Sequence, residues 1–202
     1  MSGQFPLTPT PKSLTLTQQT NSRQSEAHNL RTITRSRDAN RWIITAEYED
    51  SLTEAELWPL YAFAIKQKGR RETFTVILPN KTAPRGTGAG SPVVNALTSA
   101  GAQTMVVSAF GNSQTVLEVG DVFTIAGNSK TYMVTSAVTS DSGGSANVDF
   151  YPPLLANASA GVSITMASVA FTVRFATDNV TTQINAPLQH NFSIAMVEDV
   201  LD

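Results

Sequence analysis

Residues 41–48 read Arg41-Trp42-Ile43-Ile44-Thr45-Ala46-Glu47-Tyr48. Trp42, Ile44, Ala46 and Tyr48 alternate with Arg41, Ile43, Thr45 and Glu47, and successive strand residues point to opposite faces. A period of two with an apolar set on one side predicts a strand with one buried face. Working outward, Leu14 and Leu16 among threonines predict a second strand, and Phe74, Val76 and Leu78 a third, stopped by Pro79. The pattern returns near the other end of the chain. Val169, Phe171, Val173 and Phe175 share one face, the turn Thr177-Asp-Asn179 follows, then residues 181–185, and Phe192, Ile194 and Met196 form a closing strand.

Between the strand at 41–48 and the strand at 74–78, Leu57, Leu60, Tyr61, Ala64 and Ile65 recur at helical spacing. Thr53 with Glu56 fits a capping box, and Gly69 behind Lys66 and Lys68 fits a helix stop. Pro59 conflicts with this, because a proline beyond the first turn removes a backbone hydrogen bond. The expectation is a helix broken into a short turn and a main piece.

The charge distribution divides the chain. Residues 1–85 carry most of the basic side chains, whereas residues 86–173 carry only Lys130 against Glu118, Asp121, Asp141 and Asp149. The change falls at Pro84-Arg-Gly-Thr-Gly-Ala-Gly-Ser-Pro92, whose glycines and prolines read as a linker. Beyond it, short apolar runs alternate with turn clusters: Met105-Val-Val, Gly111-Asn-Ser, Val116-Leu-Glu-Val, Val122-Phe-Thr-Ile, Gly127-Asn-Ser, Tyr132-Met-Val, Asp141-Ser-Gly-Gly and Ala146-Asn-Val-Asp-Phe150. Five or six short strands without a helical pattern predict a small barrel or sandwich, OB-like or similar. The expected fold class is mainly β: a β-sandwich with one α-helix, built from residues 1–85 plus 168–202, interrupted by a small β-barrel at 86–167.

Composition excludes several functions. The 202 residues are 41% hydrophobic with a net charge of −2, which is a folded rather than a disordered chain. Cysteine is absent, so disulfides, thiolate metal sites and thiol nucleophiles are excluded. No apolar stretch approaches the roughly 18 residues of a membrane span, and no signal peptide is evident, so neither membrane insertion nor secretion is expected. His28 and His190 lack the partner spacing of a metal site. No Gly-x-Ser-x-Gly elbow occurs. Gly86-Thr-Gly-Ala-Gly90 is followed by Ser91-Pro92 rather than by a helix, which a phosphate loop would need. Asp141 stands alone in a tight turn, short of a calcium ligand set. The expectation is therefore no enzyme, no catalytic residue, no metal and no cofactor. The basic clusters, Arg31, Arg35, Arg37 and Arg41, and Lys66, Lys68, Arg70 and Arg71, read as surfaces that pair with acids across a subunit contact. Arg31, Arg35, Arg37, Arg70 and Arg71 are the candidate interface residues.

The run Asn40-Arg-Trp-Ile-Ile-Thr-Ala-Glu-Tyr48, then Leu52-Thr-Glu-Ala-Glu and Leu60-Tyr-Ala-Phe, then Gly69-Arg-Arg-Glu-Thr-Phe-Thr-Val-Ile-Leu-Pro79, resembles the first domain of distal tail proteins of tailed, siphovirus-like bacteriophages. Gly120-Asp-Val-Phe-Thr-Ile-Ala-Gly, Lys130-Thr-Tyr-Met-Val-Thr and Phe150-Tyr-Pro-Pro-Leu are similar to a β module of many phage virion proteins. The resemblance implies a structural virion protein, assembled in the host cytoplasm into a homo-oligomeric, hexameric ring. Such a ring joins the tail tube protein to the tail hub protein, and DNA passes through it only in transit. The alternatives are a carbohydrate- or receptor-binding module of the virion, for which one or two rings should be accessible, and another connector such as a tail terminator or neck protein.

Overall fold

A computed structural model of the chain describes residues 3–49, 51–185 and 189–200. The chain is mainly β, with one α-helix among the described residues. In chain order the elements are β1 (Ser13–Glu26), β2 (Thr32–Glu47), α1 (Glu54–Lys66), β3 (Phe74–Ile77), β4 (Gly90–Val94), β5 (Thr104–Phe110), β6 (Thr115–Leu117), β7 (Val122–Ile125), β8 (Thr131–Val134), β9 (Val138–Thr139), β10 (Ala146–Tyr151), β11 (Ile164–Thr165), β12 (Ala170–Phe175), β13 (Thr182–Asn185) and β14 (Gln189–Glu198). A 3₁₀ turn at Pro79–Lys81 follows β3. The chain forms two compact units, one of Met1–Phe74 with Val173–Asp199 and the other built on Thr75–Thr172. The division passes through β3 and β12 themselves.

One six-stranded sheet runs β1-β2-β14-β12-β3, with β13 paired to β14 off this path. The alternation at 42–48 puts Trp42, Ile44, Ala46 and Tyr48 in the core. Register continues it across the sheet: Ala46 stands opposite Ile194, and Ile44 opposite Met196, which on its other side faces Phe175. Such same-face pairs are the unit of sheet stabilisation. Helix α1 packs on β14 and buries Leu57, Leu60 and Ala64. Phe63 meets Phe74 edge-on at 5.4 Å, and Phe74 lies 4.8 Å from Phe175.

The helix is continuous over Glu54–Lys66 with Pro59 inside it, so the expected break does not occur. Pro59 and Ala55 are both exposed, and water can take the Ala55 carbonyl that proline leaves without a donor. The capping box forms: the Thr53 amide and hydroxyl donate to Glu56 Oε2 at 3.0 and 2.7 Å. At the other end Gly69 has φ +67°, and a Cβ there would lie 2.5 Å from Asp178 Oδ1.

In the second unit a six-stranded sheet has the order β11-β7-β8-β10-β5-β4. Its two ends meet. Val93 bridges Ser163, the Val94 amide donates to the Val162 carbonyl at 2.9 Å, and Gly161 N donates to Val94 O at 2.8 Å. The sheet is thereby a nearly closed barrel, with β6 and β9 as a separate ribbon. Phe123, Tyr132 and Phe150 form its centre, with ring centroids 5.3–5.6 Å apart. The Tyr132 hydroxyl accepts from Asn128 Nδ2 and the Leu155 amide, which satisfies the one polar atom in this cluster.

The glycine stretch read as a linker is laced to the barrel. Buried Asp121 accepts from the amides of Arg85, Gly86 and Glu118. Thr87 and Gly88 donate to the carbonyls of Thr115 and Val116. A Cβ at Gly86 would lie 2.5 Å from the Val116 backbone, so glycine here serves close approach of two chains rather than slack.

Candidate assembly surface

Strands β1 and β2 are far longer than the sheet that supports them. β14 pairs with β2 only from Ile43 to Glu47, whereas β1 and β2 stay paired out to Glu26 and Thr32. At the base, Arg41 Nε donates to Gln19 Oε1 at 2.7 Å and Gln18 Nε2 donates to Asn40 Oδ1 at 3.4 Å. The register then shifts between Thr20 and Ser22, and the two strands continue alone. A five-residue loop closes them: Ala27 N donates to Arg31 O, Leu30 N to Ala27 O, and Arg31 N to Asn29 Oδ1.

Every residue from 19 to 35 is exposed. At roughly 3.4 Å per residue the unsupported strands extend about 25 Å beyond the sheet. A lone two-stranded ribbon is at best marginally stable in water, and both of its edges carry unpaired backbone groups. This arm also shows apolar side chains to solvent, Leu30 at 79% and Ile33 at 54% exposure. An arm of this kind is a surface that gains stability when something covers it.

The sequence-derived interface residues separate into two groups. Arg31 and Arg35 lie on the arm and are exposed, while the side chain of Arg37 lies outside the described residues. Arg70 and Arg71 follow the helix. Arg70 is held by its own chain, its amide donating to Asp178 Oδ1 at 2.9 Å and its Nε to the Ala176 carbonyl at 2.8 Å. Arg71 is largely exposed, 3.8 Å from the Glu72 carboxylate. The arm as an element escaped the sequence reading. With both faces wet it has no apolar period, and the available signals were the Thr/Ser/Gln composition and the His28-Asn29 turn.

A second surface lies on α1. Periodicity placed Tyr61 and Ile65 with the buried residues, but Tyr61 is half-buried and Ile65 is 56% exposed, as is Trp58 at 47%. Trp58 packs edge-on to Tyr61 at 5.9 Å and over His190 at 6.2 Å. His190 is buried, and neither ring nitrogen has a hydrogen-bond partner among the described residues.

The barrel offers an open depression of about 390 Å³ lined by Val106, Thr139, Ser140, Asp141, Ser145 and Asn147. Asp141 Oδ1 is committed to the turn, accepting from the amides of Gly143 and Ser145 at 2.8 Å each. Phe110, Phe123, Tyr132 and Phe150 are buried and Tyr151 is half-buried. Among the described residues no group of three or more His, Asp or Glu is placed to hold a metal ion, and no helix is long and apolar enough to cross a membrane.

No protein-family model matches this sequence, and a search of characterised proteins returns no match.

Proposed function

We propose that this chain is a structural subunit of a homo-oligomeric ring, and that the ring is the distal tail component of a phage-like particle, joining tail tube to hub and passing DNA in transit. The observation that carries the assembly reading is the arm: two strands extend about 25 Å past their sheet with all residues from 19 to 35 exposed. Folding orders those residues at a cost in conformational entropy, with no apolar burial inside the chain to offset it. Contact with another subunit supplies that burial. A projecting element that meets a different surface on the next copy makes a head-to-tail contact, and such contacts generate closed rings when the rotation closes.

The virion assignment rests on the sequence resemblance, together with an architecture of a sheet-and-helix unit carrying a small barrel. A sugar-binding role for the barrel is the weaker reading, since four of its aromatic rings are spent on the core. Native mass spectrometry and negative-stain microscopy of the purified chain test the proposal. A ring of defined copy number, six being expected, supports it. A chain that stays monomeric at high concentration overturns it.

A further inference from the structure

The two faces of the arm differ in kind. Arg23 stands directly opposite Arg35, and Ser25 opposite Ile33, so Arg23, Arg35 and Ile33 share one face of the ribbon. Gln24 pairs with Thr34 and Glu26 with Thr32 on the other. Residues alternate strictly between faces of a ribbon, so one side is basic with an exposed isoleucine and the other is neutral to acidic. Like charges directly opposite each other destabilise a strand pair. The Arg23–Arg35 pairing is therefore an internal cost that an outside carboxylate would relieve.

The exposed side of α1 has the complementary composition. At 100° per residue, Glu54, Trp58, Tyr61 and Ile65 fall within a stripe about 60° wide, with the acid at its N-terminal end. Lys66, the basic residue of the last turn, is about 100° away from Ile65 around the helix and off the stripe. Glu49, just before the helix, is exposed as well. Trp58 is held in place by Tyr61 and His190 while half its surface stays open, and tryptophan and tyrosine are the residue types that dominate interface energies.

Within one copy both surfaces stand uncovered. We infer that the Arg23–Ile33–Arg35 face of the arm docks on the Glu54–Trp58–Ile65 stripe of a second copy of this chain. Ile33 meets the Trp58 and Ile65 side chains, and the paired guanidiniums meet Glu54 and Glu49. Because the arm and the helix are different surfaces, the contact is heterologous and each copy has one of each to offer. This names the contact that holds the ring and so rests on the ring reading.

The chain has no cysteine, so introduced thiols report without background. Ile33→Cys and Ile65→Cys copies are prepared separately, mixed, and treated with a short flexible bis-maleimide. A covalent dimer from the mixture, and a ladder of multimers from the doubly substituted chain, are the expected results. A second measurement uses charge. Arg23→Glu with Arg35→Glu keeps the like-charge opposition in the arm and inverts its sign, and is expected to weaken association about tenfold or more, as is Glu54→Arg with Glu49→Arg. Combining all four should recover most of the loss. If the unmodified chain forms rings yet the mixture gives no dimer and the combined variant no recovery, the docking inference fails and the ring stands. A crosslink within one chain overturns the inference equally, by showing the arm folded on its own helix. If the unmodified chain is monomeric, both readings fail together.

Discussion

The backbone amide of Trp42 donates to the side-chain carboxylate of Glu198 at 3.0 Å, across 156 residues of sequence. The pairing of β14 with β2 ends at Val197 opposite Ile43, and Glu198 supplies with its side chain the acceptor that the ladder no longer provides for the next residue. Both residues are buried.

Removing that acceptor takes a hydrogen bond to a charged group from a buried amide, a loss of about 1–3 kcal/mol. Glu198→Ala should therefore destabilise the first unit by an amount in that range, and Trp42→Ala by about 3–5 kcal/mol through loss of a buried aromatic. Chemical denaturation followed by tryptophan fluorescence and circular dichroism measures the former, and circular dichroism alone the latter. A Glu198→Ala variant as stable as the parent would show that the amide finds another acceptor.

How legible these features were follows from what each residue buries. The alternation at Trp42, Ile44, Ala46 and Tyr48 encodes its strand because one face is dry and the other wet. The barrel is legible through Gly and Asn turns between short apolar runs, and Tyr132 and Phe150 are core for the reason their neighbours suggest. The arm was not legible, since Arg23, Gln24, Thr34 and Arg35 are all wet and leave no period. Pro59 misled because its local cost is real but falls on an exposed turn. At the interface residues, charge clustering drew attention to Arg31 and Arg35, and equally to Arg70, which the fold uses to hold its own 176–178 turn. Composition cannot distinguish an arginine spent inside the chain from one left for a partner.

His190 illustrates a buried polar group with little to show for its place. Its ring packs under Trp58, and both nitrogens lack a partner among the described residues. Replacing a buried group whose hydrogen-bonding capacity is unused by an apolar one of similar size is nearly neutral or stabilising. His190→Leu is expected to leave the melting temperature unchanged or raise it. A fall of several degrees would show that the imidazole is hydrogen-bonded in solution.

The capping box makes the helix sensitive to acid. Hydrogen bonds from the Thr53 hydroxyl and amide hold the Glu56 carboxyl below its ordinary range. A folded-state pKa below the unfolded one contributes stability that is present above the unfolded value, about 4.3, and is lost as pH falls through the folded one. Glu56→Ala lacks this contribution at every pH. The melting temperatures of parent and variant should differ near neutrality and converge as pH falls through 4 and below. Parallel curves down to pH 3 would count against the linkage.

The barrel should be removable. The Ser168 amide donates to the Thr82 carbonyl at 2.8 Å, so the chain enters and leaves residues 83–167 at one place, between β3 and its sheet neighbour β12. Chain ends that lie close together are where a segment can be inserted or taken out at little cost. Replacing 83–167 with a short Gly/Ser connection keeps β3, β12 and the buried Phe74, Val173 and Phe175 intact. Closing a short loop instead of threading 85 residues adds little entropy cost, since closure entropy grows only slowly with length. The shortened chain is expected to melt cooperatively with a β-rich circular dichroism spectrum and, on the ring reading, to assemble to the same copy number as the parent. An unfolded product would mean that the first unit depends on the barrel for its stability, and the description of the barrel as an insertion would have to be given up.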